Sequence, residues 1–145
     1  MSRRHLPLLA MSATLACGGG HAADTKKAEA LVVQALSCEV PNGKAKLVVK
    51  ALAALGARPG KLEGDFVLPA PVQVFGLPVS YVSALPADLG VDTYIAVFPS
   101  GNLDAVAAAA QLVSTSGNYR REAPGGRLAA DMRSRVDVWL SCATQ

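Results

Sequence analysis

The sequence predicts an α+β domain in which two or three helices pack on one face of a mostly antiparallel sheet of about five or six strands, closed by one disulfide. Three observations predict it. Apolar residues recur at every second position through residues 66–99, which is the period of a strand. Stripes of apolar residues at helical spacing lie before that run and after it. Two cysteines, Cys38 and Cys142, remain once an export leader is set aside, and an even count in an exported chain favours pairing.

The leader is read over residues 1–22. Arg3 and Arg4 make a charged n-region, and LPLLAMSATLA has the length of a signal h-region. That stretch is shorter than the roughly 18 apolar residues a membrane-spanning helix needs, and no later segment is long enough either. Gly20 and Ala22 supply small residues for cleavage after Ala22, which leaves 23–145 as a single domain in the periplasm or outside the cell. The competing reading is a lipoprotein tethered through Cys17, although Thr14 stands where such signals usually place leucine. Removing 1–22 takes away two of the fourteen basic residues and none of the eleven acidic ones, so the net charge falls from +3 to +1. Nucleic acid as a partner has no support from that charge.

After the leader, Asp24 is placed to cap a helix over 25–37 whose inner face is Ala28, Leu31, Val32 and Ala35. Cys38 continues that face. Val40-Pro41-Asn42-Gly43 interrupts it, and Asn42 is read as the cap of a second helix over 44–55 with the stripe Leu47, Val48, Ala51 and Leu55. Gly56 and Pro59 stop that helix, and ARPGKLEG reads as a loop. Pro69, Pro71, Gly76, Pro78, Pro86 and Gly90 break the run 66–99 into as many as three short strands. Asn102 caps a third, short helix, with Leu103, Val106, Ala107, Ala110 and Val113 on one face. STSGN is turn chemistry, and further strands follow over 118–123, 127–132 and 135–143. In the last of these Val136, Val138, Leu140 and Cys142 point inward, so a Cys38–Cys142 bond ties the first helix to the final strand.

The residue inventory excludes much familiar chemistry. Both histidines, His5 and His21, belong to the leader, so the mature chain offers no imidazole for a catalytic triad or a metal. Pairing Cys38 with Cys142 removes the thiolate, and there is no glycine-rich phosphate loop, so no cofactor is expected. Carboxylates are the remaining catalytic candidates: Glu63 with Asp65, and Asp88 with Asp92, all of which read more simply as solvated loop residues. Arg120, Arg121, Arg127, Arg133 and Arg135 form a cationic strip on the late strands, suited either to an anionic partner or to cross-strand ion pairs on a wet face. Tyr81, Tyr94, Tyr119 and Trp139 are the aromatic candidates. Trp139 alternates with inward residues, which places it under a helix or, in the second reading, in the open beside Tyr119 as part of an interaction surface.

Cys38-Glu39-Val40-Pro41, the segment LPAPVQVFGLPVSYV at 68–82, DTYIAVFP at 92–99, NLDAVAAAA and the last strand ending in Cys142 together resemble a family of small exported proteobacterial proteins. The most specific piece is Val-Phe-Gly-Leu-Pro-Val at 74–79. The resemblance spans nearly the whole mature chain and implies export and one domain. That family has no assigned activity, so it implies no site residues. The expected function is a non-enzymatic periplasmic module that binds a protein partner or envelope component, as a monomer or weak dimer. The alternatives are a small-molecule carrier with an apolar pocket and a carboxylate-dependent hydrolase.

Overall fold

The computed structural model describes residues 19–87 and 90–145. Residues 1–18, with Cys17 and most of the expected leader, and Asp88 lie outside the described residues. Among those described, no helix is long and apolar enough to cross a membrane.

The first helix, α1 (Gly19–Leu36), starts ahead of its expected cap, so Asp24 lies within it. Ala28, Val32, Ala35 and Leu36 are buried, as the apolar spacing requires. Its end is a Schellman turn. The Glu39 N–H donates to the Gln34 carbonyl at 2.8 Å and the Cys38 N–H to the Ala35 carbonyl at 3.1 Å, with Cys38 itself in the left-handed region at φ 62°. A non-glycine residue there costs about 1–2 kcal/mol. The position is held by the disulfide to Cys142, whose Cα lies 5.2 Å from that of Cys38.

The second helix, α2 (Ala45–Ala54), buries Ala45, Val48, Ala51 and Leu52. Leu47, expected in that stripe, is instead 51% exposed. Gly56, at φ 78°, ends the helix as its position predicts.

The sheet has eight strands, not five or six: β1 (Arg58–Pro59), β2 (Asp65–Val74), β3 (Leu77–Leu85), β4 (Thr93–Phe98), β5 (Val113–Thr115), β6 (Asn118–Ala123), β7 (Gly126–Met132) and β8 (Val138–Thr144). The helix α3 (Leu103–Ala109) lies between β4 and β5. The two extra strands are β1 and β5, of two and three residues, in segments read as loop and turn. Strands that short carry no legible alternation. β8 also starts later than expected, which leaves Val136 56% exposed in the preceding bend.

All pairs are antiparallel, in the order β1-β2-β3-β4-β8-β7-β6-β5. The chain therefore runs a four-strand meander inward to β4, crosses through α3, and runs a second meander inward to β8. Three hairpins need only two linking residues. Phe75-Gly76 and Ser116-Gly117 all have positive φ, the type I′ pattern that matches strand twist. Pro124-Gly125 links β6 to β7, where a side chain on Gly125 would stand 2.2 Å from the Val40 carbonyl oxygen.

Register and burial separate two faces. Val82, Ala84, Tyr94, Ala96, Leu140, Cys142, Leu128 and Ala130 join buried residues of all three helices in one core. The alternate residues of the same strands make the other face, which no helix covers.

Candidate functional site

The helix-free face can be followed along rows of paired residues. One row runs Asp65, Ser83, Ile95, Ser141, Ala129, Arg120, Val113 from β2 to the β5 edge. The next runs Arg58, Val67, Tyr81, Val97, Trp139, Asp131. Trp139 thus sits near the middle of the sheet, half-buried by its neighbours on a face without helices and not beneath one. Ile95 is only 7% exposed yet stands apart from the helix-side core.

Trp139 lines two concavities, one on each side. Over β6, β7 and β8 lies a space of about 390 Å³, into which Arg120, Arg127, Asp131, Arg133 and the Ser141 hydroxyl open. Over β2, β3 and β4 lies a second of about 610 Å³, bounded by Leu62, Phe66, Tyr81, Val97 and Pro99. The first is cationic and polar, and the second is mainly apolar. Leu62 at 70% exposed and Tyr81 at 47% give the second an apolar rim open to water. The Arg133 guanidinium stacks on the Trp139 ring at 5.4 Å from its centroid. That stacking contributes about 0.5–1 kcal/mol at an exposed site. The loop carrying Arg133 is closed by its own N–H, which donates to the Asp137 carbonyl, and by the Ser134 hydroxyl, which accepts from Val136 and Asp137.

The cationic strip therefore divides. Arg120, Arg127, Arg133 and Trp139 share the helix-free face. Arg121 points the other way, where its Nε donates to the Ala110 carbonyl at 2.8 Å, closing the end of α3, and its guanidinium lies over Phe75. Tyr119 borders the first concavity but turns its hydroxyl to Asp104 of α3 at 2.6 Å. The hydrogen bond to Asp104, with that carboxylate's charge, raises the Tyr119 pKa. Arg135 lies in the exposed bend and borders neither concavity. Arg127 is ion-paired with Glu122 at 2.9 Å.

Among the described residues, the candidate carboxylates Glu63, Asp65 and Asp92 are not brought together in one site. Glu63 is exposed, and Asp65 accepts from the Ser83 hydroxyl at 2.7 Å. Asp92, read as a solvated loop residue, is buried. Its Oδ2 accepts from the Ala45 N–H at 3.0 Å, so it caps α2 from 47 residues away, where the helix dipole favours a negative charge. Its Oδ1 accepts from the Ala87 N–H. Asn42 does not cap α2. Its Oδ1 accepts from the Asp92 N–H at 2.9 Å and lies 3.0 Å from the Thr144 hydroxyl, joining the start of β4 to the end of β8. Tyr94 is no surface residue either: it is buried beside Asp92, and its pKa is raised by burial first and then by that carboxylate. Among the described residues no group of three or more His, Cys, Asp or Glu is placed to hold a metal.

Sequence reasoning nominated Trp139 and three of the arginines, but missed the wall residues Asp131, Ile95 and Ser141 and the apolar rim at Leu62. Their alternation was legible, whereas which strands stand side by side was not. Comparison with protein-family models, with curated proteins and with solved structures finds no match to this chain.

Proposed function

We propose that this chain is an exported, non-enzymatic binding module whose recognition surface is the helix-free sheet face. The observation that carries the reading is the asymmetry of the sheet. One face is sealed by three helices and a disulfide, while the other leaves Trp139 between a cationic and an apolar concavity. A half-buried aromatic with a stacked arginine, set among shallow apolar and charged ground, is the composition of an interface centre. The partner is a protein or envelope component that presents an apolar group to the Tyr81 side and an anionic group to the arginine side. The disulfide fits an oxidising compartment, which supports export.

A photo-reactive amino acid placed at Tyr81, compared with one placed at Leu47 on the exposed side of α2, tests the reading in the native host. Cross-links to one recurring species from position 81 and none from position 47 are expected. Cross-links from position 47 alone would move the interface to the helices and sink the proposal.

A further inference from the structure

The two concavities differ in charge, and the cationic one has an unusual wall. Arg120, from β6, and Arg133, after β7, open into it, and among the described residues neither has a carboxylate within ion-pair distance. The third arginine, Arg127, keeps Glu122 as its partner. Thr93 and Asn118 add neutral polar side chains to the same lining, and the Ser141 hydroxyl there donates to the Ala129 carbonyl at 3.4 Å. Planar guanidinium groups bordering one space suit an oxyanion, which can accept from a fork in two bonds.

Asp131 narrows the choice. Its carboxylate belongs to the same wall, on the residue paired with Trp139, and it too has no cation within ion-pair distance among the described residues. A carboxylate repels an anion that offers only acceptors, but it accepts a hydrogen bond from one that still carries an O–H. Hydrogenphosphate carries such a proton at neutral pH and sulfate does not. A phosphate monoester has lost its last proton above pH about 6. From this juxtaposition of two exposed arginines with one exposed carboxylate, none of them ion-paired among the described residues, we infer that the concavity over β6, β7 and β8 binds inorganic phosphate in its protonated form. The inference rests on the helix-free face being the binding surface, and it adds a ligand to that surface.

Trp139 is the sole tryptophan of the chain and lines the concavity, so its emission reports binding directly. The experiment titrates the purified full chain at pH 7 with inorganic phosphate, sodium sulfate and glycerol 3-phosphate in separate series. A saturable change with phosphate is expected, with sulfate and the ester about tenfold weaker or worse. Arg120→Ala and Arg133→Ala should each weaken phosphate about tenfold or more, the loss of one guanidinium fork. Lys50→Ala, which removes the same charge from the exposed side of α2, should leave it unchanged. Asp131→Asn should raise the affinity for sulfate and erase the discrimination. A flat phosphate titration, equal binding of sulfate by the unmodified protein, tighter binding of the ester, or equal loss in Lys50→Ala would each overturn the assignment. A flat titration together with cross-links from position 81 would remove the phosphate and leave the binding face.

Discussion

At the scale of single residues, the part of the molecule most removed from its sequence is the cluster of Asp92, Asn42, Thr144 and Tyr94. Asn102 was legible as a cap because its partner, the Ala105 N–H at 3.0 Å, lies three residues on. Asp92 caps a helix 47 residues before it, and only the folded sheet brings the two together. Replacing Asp92 by Ala leaves the Ala45 and Ala87 N–H groups and the Tyr94 hydroxyl without their acceptor. Asp92→Ala should destabilise the fold by about 2 kcal/mol in urea denaturation, and Asp92→Asn by less, because the amide retains an acceptor. Tyr94 sets an alkaline limit. Its folded pKa is raised, so the folded state holds the phenolic proton after the unfolded chain has released it. That stability is complete below the unfolded value of about 10 and is lost as pH rises past it. Tyr94→Phe should flatten the decline of the urea midpoint above about pH 10, and an unchanged slope would assign the decline to another group.

At the scale of elements, the longer strands and the short third helix could be read from alternation and capping chemistry, and the edges could not. Arg58-Pro59 is too short to alternate, and Val113, read as the end of a helical face, is a 63% exposed residue of an edge strand. Edge strands this short, beside prolines at 69 and 71 on β2, limit pairing with other chains. The hairpin turns were visible from their glycines, but not the reason for Gly125 and Gly126. Gly125 donates its N–H to the Cys38 carbonyl at 2.8 Å and leaves no room for a Cβ beside the Val40 carbonyl, so the β6–β7 turn is docked on the segment after α1. Gly126 lies as tightly against Ala143 and Thr144 of β8. Gly125→Ala is therefore expected to cost about 3 kcal/mol, at the upper end of ordinary substitutions, whereas Gly76→Ala meets open space and carries only the penalty of a left-handed turn. Equal urea midpoints for the two variants would contradict that docking.

At the scale of the whole molecule, two stretches with the same order, a helix followed by four strands of which the first is a short edge, meet where β4 pairs with β8. Nothing in the residues repeats, so the pseudo-symmetry is a property of the fold alone. α1 lies outside it and is fastened to β8 by the disulfide, which spans 104 residues. Both cysteines and their inward direction were legible. On the chain-entropy view a loop of that length contributes as much as about 4.7 kcal/mol, so reduction or Cys38→Ala with Cys142→Ala should lower urea stability by a sizeable part of that sum. A loss below about 1 kcal/mol would show the link to be redundant with the α1 packing. The binding face depended on what the sequence did not disclose: eight strands in a fixed order, with all the helices on one side. The measurement closest to that claim is hydroxyl-radical footprinting of the purified protein with and without a native envelope extract. Protection of Trp139 and Tyr81, with Leu47 on α2 unprotected, is the result this account requires. Protection of Leu47 with Trp139 and Tyr81 still reactive would place recognition on the helices and contradict it.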